Sequence, residues 1–523
     1  GGSVTNNTAT NTGGGVFIAN GAAFNMSDGS VTGNTAKTSG GGIYNYGTSD
    51  MSGGSVTGNT ATSYGGGIYN QGGTFSMRGG SVTNNTATTN GGGVCNNGTF
   101  NMSDGSVTNN TTGTNGGGVY NTGTFNMSGG SVTGNTATNT GGGVYNCIEG
   151  FFNMYGGGIK SNTANSCGGL FINNDPDTLS NNTGRVSLKG GEITDNTATS
   201  GTSAGGVNVP MYYVNTNTTE PRLTVSGGIV ITGNKSGSEG SQTDKNLVVA
   251  AGRAFAIGSG GLTDGAKIGV TSTTTDGLVF TSGWGTNMSG KTITDYFTSD
   301  NSALTLGVRT ADGATEGILG YKVTYNKPNG VSGDAPTDSA IYLGGETVKV
   351  SGSTPYTKSG YKQIGWSAAS DSKETVSTYT MTAADATFYP VFEREFTSEG
   401  DSDTVNLTYN TEISNAIDLN DYVKFTDATQ TDNFAFALAD GQSLPAGLTL
   451  DKTSGKITGT PTAQAGDYTV SFTVTDNAPF AMFSLDPSPA TETATLTLKF
   501  AIAKANPTVT APAAKTDLVY KGT

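Results

Sequence analysis

Short runs in which apolar and polar residues alternate recur along the first half of the chain, and they predict strands. In 123–146, GTFNMSGGSVTGNTATNTGGGVYN, alternation places Phe125 and Met127 on one face and Thr124 and Asn126 on the other. No 3.6-residue apolar period runs through this unit, and Gly, Asn and Thr are poor helix formers. Three runs of the TFNMS, GSVTG and GGVYN type are separated by Gly- and Asn-rich corners, where positive φ is expected. The unit repeats. Its NTA asparagine recurs at Asn7, Asn34, Asn59, Asn85, Asn110, Asn135, Asn162, Asn196 and Asn234, a period near 25 that lengthens towards the end. Three strands per ~25-residue unit predict the coils of a right-handed parallel β-helix.

Stacking turns each position of the unit into a column. The inward columns are expected to run from Val4 to Ile159, Phe24 to Phe152, Met26 to Met154 and Val16 to Leu170, with Ala9 to Ala137 in a narrow corner. The NTA asparagines are placed where a buried Asn column can bond its neighbours above and below. One coil buries too little apolar surface to fold alone, so the repeat has to be an array.

Two outward columns are candidate contact surfaces. One is the Ser-x-Thr grid from Ser3/Thr5 to Ser131/Thr133, of the kind an ice-binding solenoid presents; the plainer alternative is a soluble strand surface. The other is aromatic: Phe17, Tyr44, Tyr69, Tyr120, Tyr145 and Phe171, with Cys95 on one rung. An exposed aromatic stripe stacks sugars or a partner; a self-stacking ladder that stabilises the sheet is the alternative. The insertion at 208–222 carries Tyr212 and Tyr213, a candidate contact loop. The binding candidates are therefore Tyr44, Tyr69, Tyr120, Tyr145, Phe171, Tyr212 and Tyr213.

Composition narrows the chemistry. The 523 residues include 83 glycines and no histidine, so no His base, triad or metal ligand exists in the sequence. Cys95, Cys147 and Cys167 have neither zinc-site nor stacked spacing, and free thiols are expected. No catalytic residue, metal or cofactor is assigned. The formal charge is −14 and no basic stripe is present, which argues against nucleic acid. No run of ~18 apolar residues predicts a membrane span. The coils are almost uncharged until a cluster at Asp175, Asp177, Arg185, Lys189, Glu192 and Asp195. Solvated loop charges are one reading of it, and a sugar-cleaving or calcium site the other. Gly1 opens inside a repeat unit, as expected of a piece of a longer chain with its signal and anchor elsewhere.

Resemblances add to this reading. The pairing of GGG-[VI]-[YF] with V-T-x-N-T-A resembles the GGA-[ILV] and F-x-x-N repeats of polymorphic outer-membrane proteins and related bacterial surface adhesins, with V-T-x-N in place of F-x-x-N. Residues 321–396, with Gly360-Tyr361, Gly365-Trp366 and the APTDS turn, resemble the Listeria–Bacteroides (internalin B-type) repeat, which implies a small β-grasp-like module. Residues 397–504 carry LPAGLTLDKTSGKITGTPTAQAGDYTVSFTVTDNA and resemble an Ig-like, cadherin-related β-sandwich; 505–523 look like the start of another such module. Asp476-Asn477-Ala478-Pro479 is read as a turn rather than a calcium linker.

The expected organisation is all-β. A parallel β-helix covers 1–320 (regular coils 1–243, closing coils 244–320), followed by the β-grasp-like module and the sandwich. The expected function is a non-catalytic bacterial surface or secreted adhesion protein, a monomer whose β-helix head, carried on β-module stalk domains, binds a glycan or a host or matrix protein surface. The alternatives are a β-helix polysaccharide lyase or hydrolase and an ice-binding protein.

Overall fold

A computed structural model of the chain describes residues 1–173, 185–209, 222–372, 374–394, 396–398, 403–425, 434–476, 493–507 and 509. Its regular secondary structure is nearly all β. Two compact units form: Gly1–Val323 with Asp338–Val348 and Thr380–Ala386, and a second from Thr324–Thr337, Lys349–Tyr379 and the chain from Thr387 onward.

The first unit is a parallel β-solenoid. A typical coil runs through Ser131–Thr133, Thr136–Thr140 and Val144–Asn146 to Phe151–Met154. The three expected strands are present, and the Thr-Ala corner forms a short fourth strand with its own ten-stranded sheet. Pairing is parallel and in register with the repeat: Ser106 faces Ser131, Val119 faces Val144, and Phe100 faces Phe125. The core is a set of like-on-like columns. Phe75, Phe100, Phe125 and Phe152 are fully buried and stack with centroids 4.6–5.0 Å apart. Ser49 takes the rung between Phe24 and Phe75 and interrupts that column.

The corners follow from backbone constraint. The residue before each NTA asparagine is left-handed whatever its type: Gly134 (φ 66°), Asn109 (φ 55°), Ser161 (φ 53°) and Asp195 (φ 58°) among them. In the GGG corner, Gly116 is left-handed (φ 69°), and a Cβ on Gly117 would sit 2.5 Å from the Gly142 carbonyl of the next coil. The glycines therefore serve both sharp turning and close coil packing.

The solenoid closes by dropping a corner. Lys267–Ser272 pairs with both Val230–Thr232 and Leu247–Val249, so one strand continues two ladders without a Thr-Ala run between them. An antiparallel hairpin, Thr305–Ala311 with Ala314–Gly320, then lies on Leu278–Val279. Phe255, Phe280, Phe297 and Trp284 fill the space beneath. Antiparallel strands and large rings thus replace the open parallel end.

In the second unit, a four-stranded sheet contains Thr357–Lys358, Tyr361–Ser367 and Ala386–Arg394. Trp366 is buried against Tyr325 and Tyr356 and donates from Nε1 to the Ser353 carbonyl at 2.7 Å. Further along, Thr404–Thr408, Thr493–Ala503, Gly466–Asp476 and Phe434–Leu438 form one sheet, and Ile417–Asp418, Lys456–Gly459 and Leu448–Leu450 another. Strict alternation sends Val470, Phe472 and Val474 inward against Leu496, Leu498 and Phe500, as a sandwich core requires.

Candidate functional site

Whether a side chain of the solenoid is available for function depends on what its column does. The NTA asparagines are committed to the fold. Asn110 donates from its backbone N and from Nδ2 to Oδ1 of Asn135, both at 2.9 Å, and from Nδ2 to the Val82 carbonyl at 2.9 Å. Its own Oδ1 accepts the same pair from Asn85. This pattern runs from Asn7 to Asn234 and on to Asn246. It ends on Asp300, whose carboxylate accepts from Asn246 N, Asn246 Nδ2 and the Thr271 hydroxyl at 2.7–2.9 Å. A carboxylate only accepts, so it terminates a column in which every amide points its donors the same way.

A second buried ladder escaped the sequence reading. Asn45, Asn70, Asn96, Asn121 and Asn146, the last residues of the VYN-type strands, donate from each Nδ2 to the next Oδ1 at 2.7–2.8 Å. The signal was present as an invariant Asn after each Tyr or Cys, on the inward parity of its strand. Asn45 opens this ladder, and its Oδ1 has no hydrogen-bond partner because Ile18 occupies the preceding rung.

The aromatic column forms in register: Phe17, Tyr44, Tyr69, Cys95, Tyr120, Tyr145 and Phe171 face one another rung by rung. It differs from an exposed stripe. Tyr44 is buried, Tyr69, Tyr120, Tyr145 and Phe171 are half-buried, and only Phe17 is exposed. The reason is geometric: rings one coil apart cover each other's faces. Tyr120 and Tyr145 stack at 5.1 Å and 13°, and Tyr145 and Phe171 at 5.1 Å and 27°. Burial pushes the Tyr69 phenol up to about 12 and raises those of Tyr44 and Tyr120 as well.

Cys95 splits the column into two unlike halves. On the far side lies the regular stack just described, with Cys147 beside the Tyr120 hydroxyl. On the near side Phe17 stacks on Tyr44 at 5.5 Å and 12°, and the order is then broken by two tyrosines from neighbouring columns. Tyr46 lies 5.1 Å from Tyr44, with its hydroxyl accepting from the Tyr44 hydroxyl at 3.2 Å, and Tyr64 lies 6.0 Å from Tyr69. Tyr44 and Tyr69 meet edge to face at 5.2 Å and 77°. Tyr46 and Tyr64 are exposed, and neither was singled out from sequence because each occurs in one coil only.

All three cysteines are free thiols. Burial pushes Cys147 up to about 11 and Cys167 up to about 12, and raises Cys95 too. Tyr212, Tyr213, Asp175 and Asp177 lie outside the described residues. Of the remaining cluster, Glu192 pairs with Lys160 of the preceding coil, and Lys189 Nζ sits 5.1 Å from the Tyr155 ring centre. The Lys160–Glu192 pair lines an open trough of about 480 Å³, together with Gly130, Gly157, Gly158 and Gly191. The Ser-x-Thr grid ends at the same place, where Gly158 and Lys160 follow Ser131 and Thr133. Among the described residues no group of three His, Cys, Asp or Glu side chains could hold a metal ion, and no helix is long and apolar enough to cross a membrane.

Fold and surface together define a β-solenoid protein with an Ig-like domain in its C-terminal region, a class compatible with a structural protein of the cell surface. Residues 395–501 match the family model described as "Putative Ig domain". No curated protein matches the chain.

Proposed function

We propose that the chain is a non-catalytic structural and adhesive protein, secreted or displayed on a bacterial surface, whose solenoid contacts a glycan or a protein outside the cell. The observation that carries this reading is how the repeat uses its polar groups. Two asparagine ladders are consumed in internal hydrogen bonds, and the one ion pair lining the trough, Lys160 with Glu192, neutralises itself. What the coils leave outward is a long, nearly uncharged surface of hydroxyls, amides and rings, which suits recognition rather than acid–base chemistry. The resemblance to surface adhesins and the Ig-like domain support the same reading; the fold alone does not name a ligand.

The test is binding of the whole chain to arrayed glycans and to immobilised matrix proteins, with the wells analysed afterwards by mass spectrometry. Saturable binding with intact glycans is expected. Shortened glycans would overturn the non-catalytic reading, and absence of binding to both surfaces would overturn the adhesive one.

A further inference from the structure

The half of the aromatic column before Cys95 has what the other half lacks: rings that neighbouring rings do not cover. Tyr46, Tyr44, Tyr69 and Tyr64 form a continuous diagonal belt with successive centroids 5.1, 5.2 and 6.0 Å apart. Its two ends, Tyr46 and Tyr64, are 43% and 38% exposed, while Tyr44 between them is buried at 6%. The belt is therefore a supported surface: inner rings pinned by packing, outer rings open to solvent. Isolated exposed aromatics are ordinary on soluble proteins, but a contiguous group marks a contact site.

We propose that this belt is a binding site for a neutral glycan, an inference that rests on the adhesive reading above and gives it a location. Two observations select that ligand chemistry. First, the surroundings are almost without charge: between positions 17 and 97 the charged residues are Asp28, Lys37, Asp50 and Arg78, and the last two pair with each other at 3.1 Å. An acidic polysaccharide or a lipid headgroup would find no cationic cluster here. Second, the column beside the belt is polar and uncharged. Tyr46 is followed in that column by Gln71 and Asn97, each held by its backbone N–H on the preceding coil; Gln71 is half-exposed and Asn97 exposed. Amides beside rings supply donors and acceptors for sugar hydroxyls while the ring faces take the C–H face of the pyranose. The stack beyond Cys95 offers no equivalent, because Tyr120, Tyr145 and Phe171 spend their faces on one another.

The test uses the whole chain and calorimetric titration with cellohexaose, mannohexaose and maltohexaose, alongside hyaluronan as an acidic probe. The double variant Tyr46→Ser/Tyr64→Ser is compared with Tyr145→Ser in the covered half, and circular dichroism verifies that each retains its strands. The expected result is binding of at least one neutral hexamer, lost by tenfold or more in the double variant and unchanged in Tyr145→Ser. If the double variant loses its fold, Tyr46→Ser and Tyr64→Ser are titrated singly, and each is expected to weaken binding at least threefold. Undiminished binding by the double or single variants would overturn the belt while leaving the adhesive reading intact at another site. Binding of hyaluronan alone would overturn the neutral class. Binding of no hexamer would overturn the inference, and the matrix-protein assay would then decide separately whether adhesion survives.

Discussion

The solenoid and the Ig-like sandwich solve the same problem by different means. In the sandwich, register comes from alternation: Val470 pairs with Leu498 and Phe472 with Leu496 across antiparallel strands, and the core contains unlike apolar residues. In the solenoid, each residue meets its own counterpart one coil away, and much of the core is polar: Asn34, Asn59, Asn85, Asn110, Asn135 and Asn162 are fully buried. Like-on-like apolar columns would tolerate a slip of two residues. A buried asparagine whose four hydrogen-bonding positions are all satisfied would not, because a slip orphans donors along the column. The polar ladder fixes register where the hydrophobic pattern leaves it degenerate.

The largest expected effect breaks that ladder in the middle. Asn110→Leu keeps the branched heavy-atom skeleton but leaves the Asn85 N–H and Nδ2–H without an acceptor, at about 1–3 kcal/mol for each orphaned group. Hydrogen exchange of the flanking coils is expected to accelerate accordingly, while the sandwich strands Gly466–Asp476 and Thr493–Ala503 keep their protection. Phe472→Ala reverses the pattern, costing about 3–5 kcal/mol in the sandwich and leaving the coils unchanged.

A smaller effect is expected at the ladder's end. Asp300→Asn turns one of two accepting oxygens into a donor facing Asn246 or Thr271. A loss of about 1–3 kcal/mol is expected, confined to the closing coils and measurable by the same exchange experiment.

Alkaline pH provides a third contrast. The folded phenol of Tyr69 titrates near 12, and burial raises Tyr44 and Tyr120 also, against about 10 when unfolded. Below about pH 10 both states hold these protons and stability is unaffected. Above it the unfolded chain loses protons that the folded coils retain, so solenoid stability falls as pH rises from 10 towards 12. Melting followed by tyrosine absorbance is expected to show that decline. The same burial keeps the thiols protonated, so Cys147 and Cys167, raised to about 11 and 12, are expected to react slowly with Ellman's reagent at pH 8 until the chain is denatured.

The smallest effect is a gain. Ser161 holds the left-handed corner that Gly134 and Gly233 hold elsewhere. Ser161→Gly is expected to stabilise that coil by about 1 kcal/mol, read as a rise in its melting temperature.

The coil columns were legible because the repeat prints each of them many times. The strand parities of Phe125 and Met127, the left-handed corners and the bonded NTA asparagines all follow from that redundancy. What occurs once was not legible. Tyr46 and Tyr64 interrupt the pattern in single coils, and their role depends on rings brought alongside from other coils. Asp300 lies 54 residues from the Asn246 it caps, outside any repeat register. The VYN-type asparagine was in plain sight; a polar residue at an inward parity is itself a sign of a buried ladder.

The ladder's central role is tested most directly by hydrogen exchange at the asparagine side chains, read by NMR on selectively ¹⁵N-labelled protein. The Nδ2 hydrogens of Asn59, Asn85, Asn110 and Asn135 are expected to exchange as slowly as the most protected backbone amides, while those of exposed Asn20 exchange at the rate of a free side chain. Equal exchange in both groups would contradict the account, for it would mean that the buried amides are not locked and that something else sets the register of the coils.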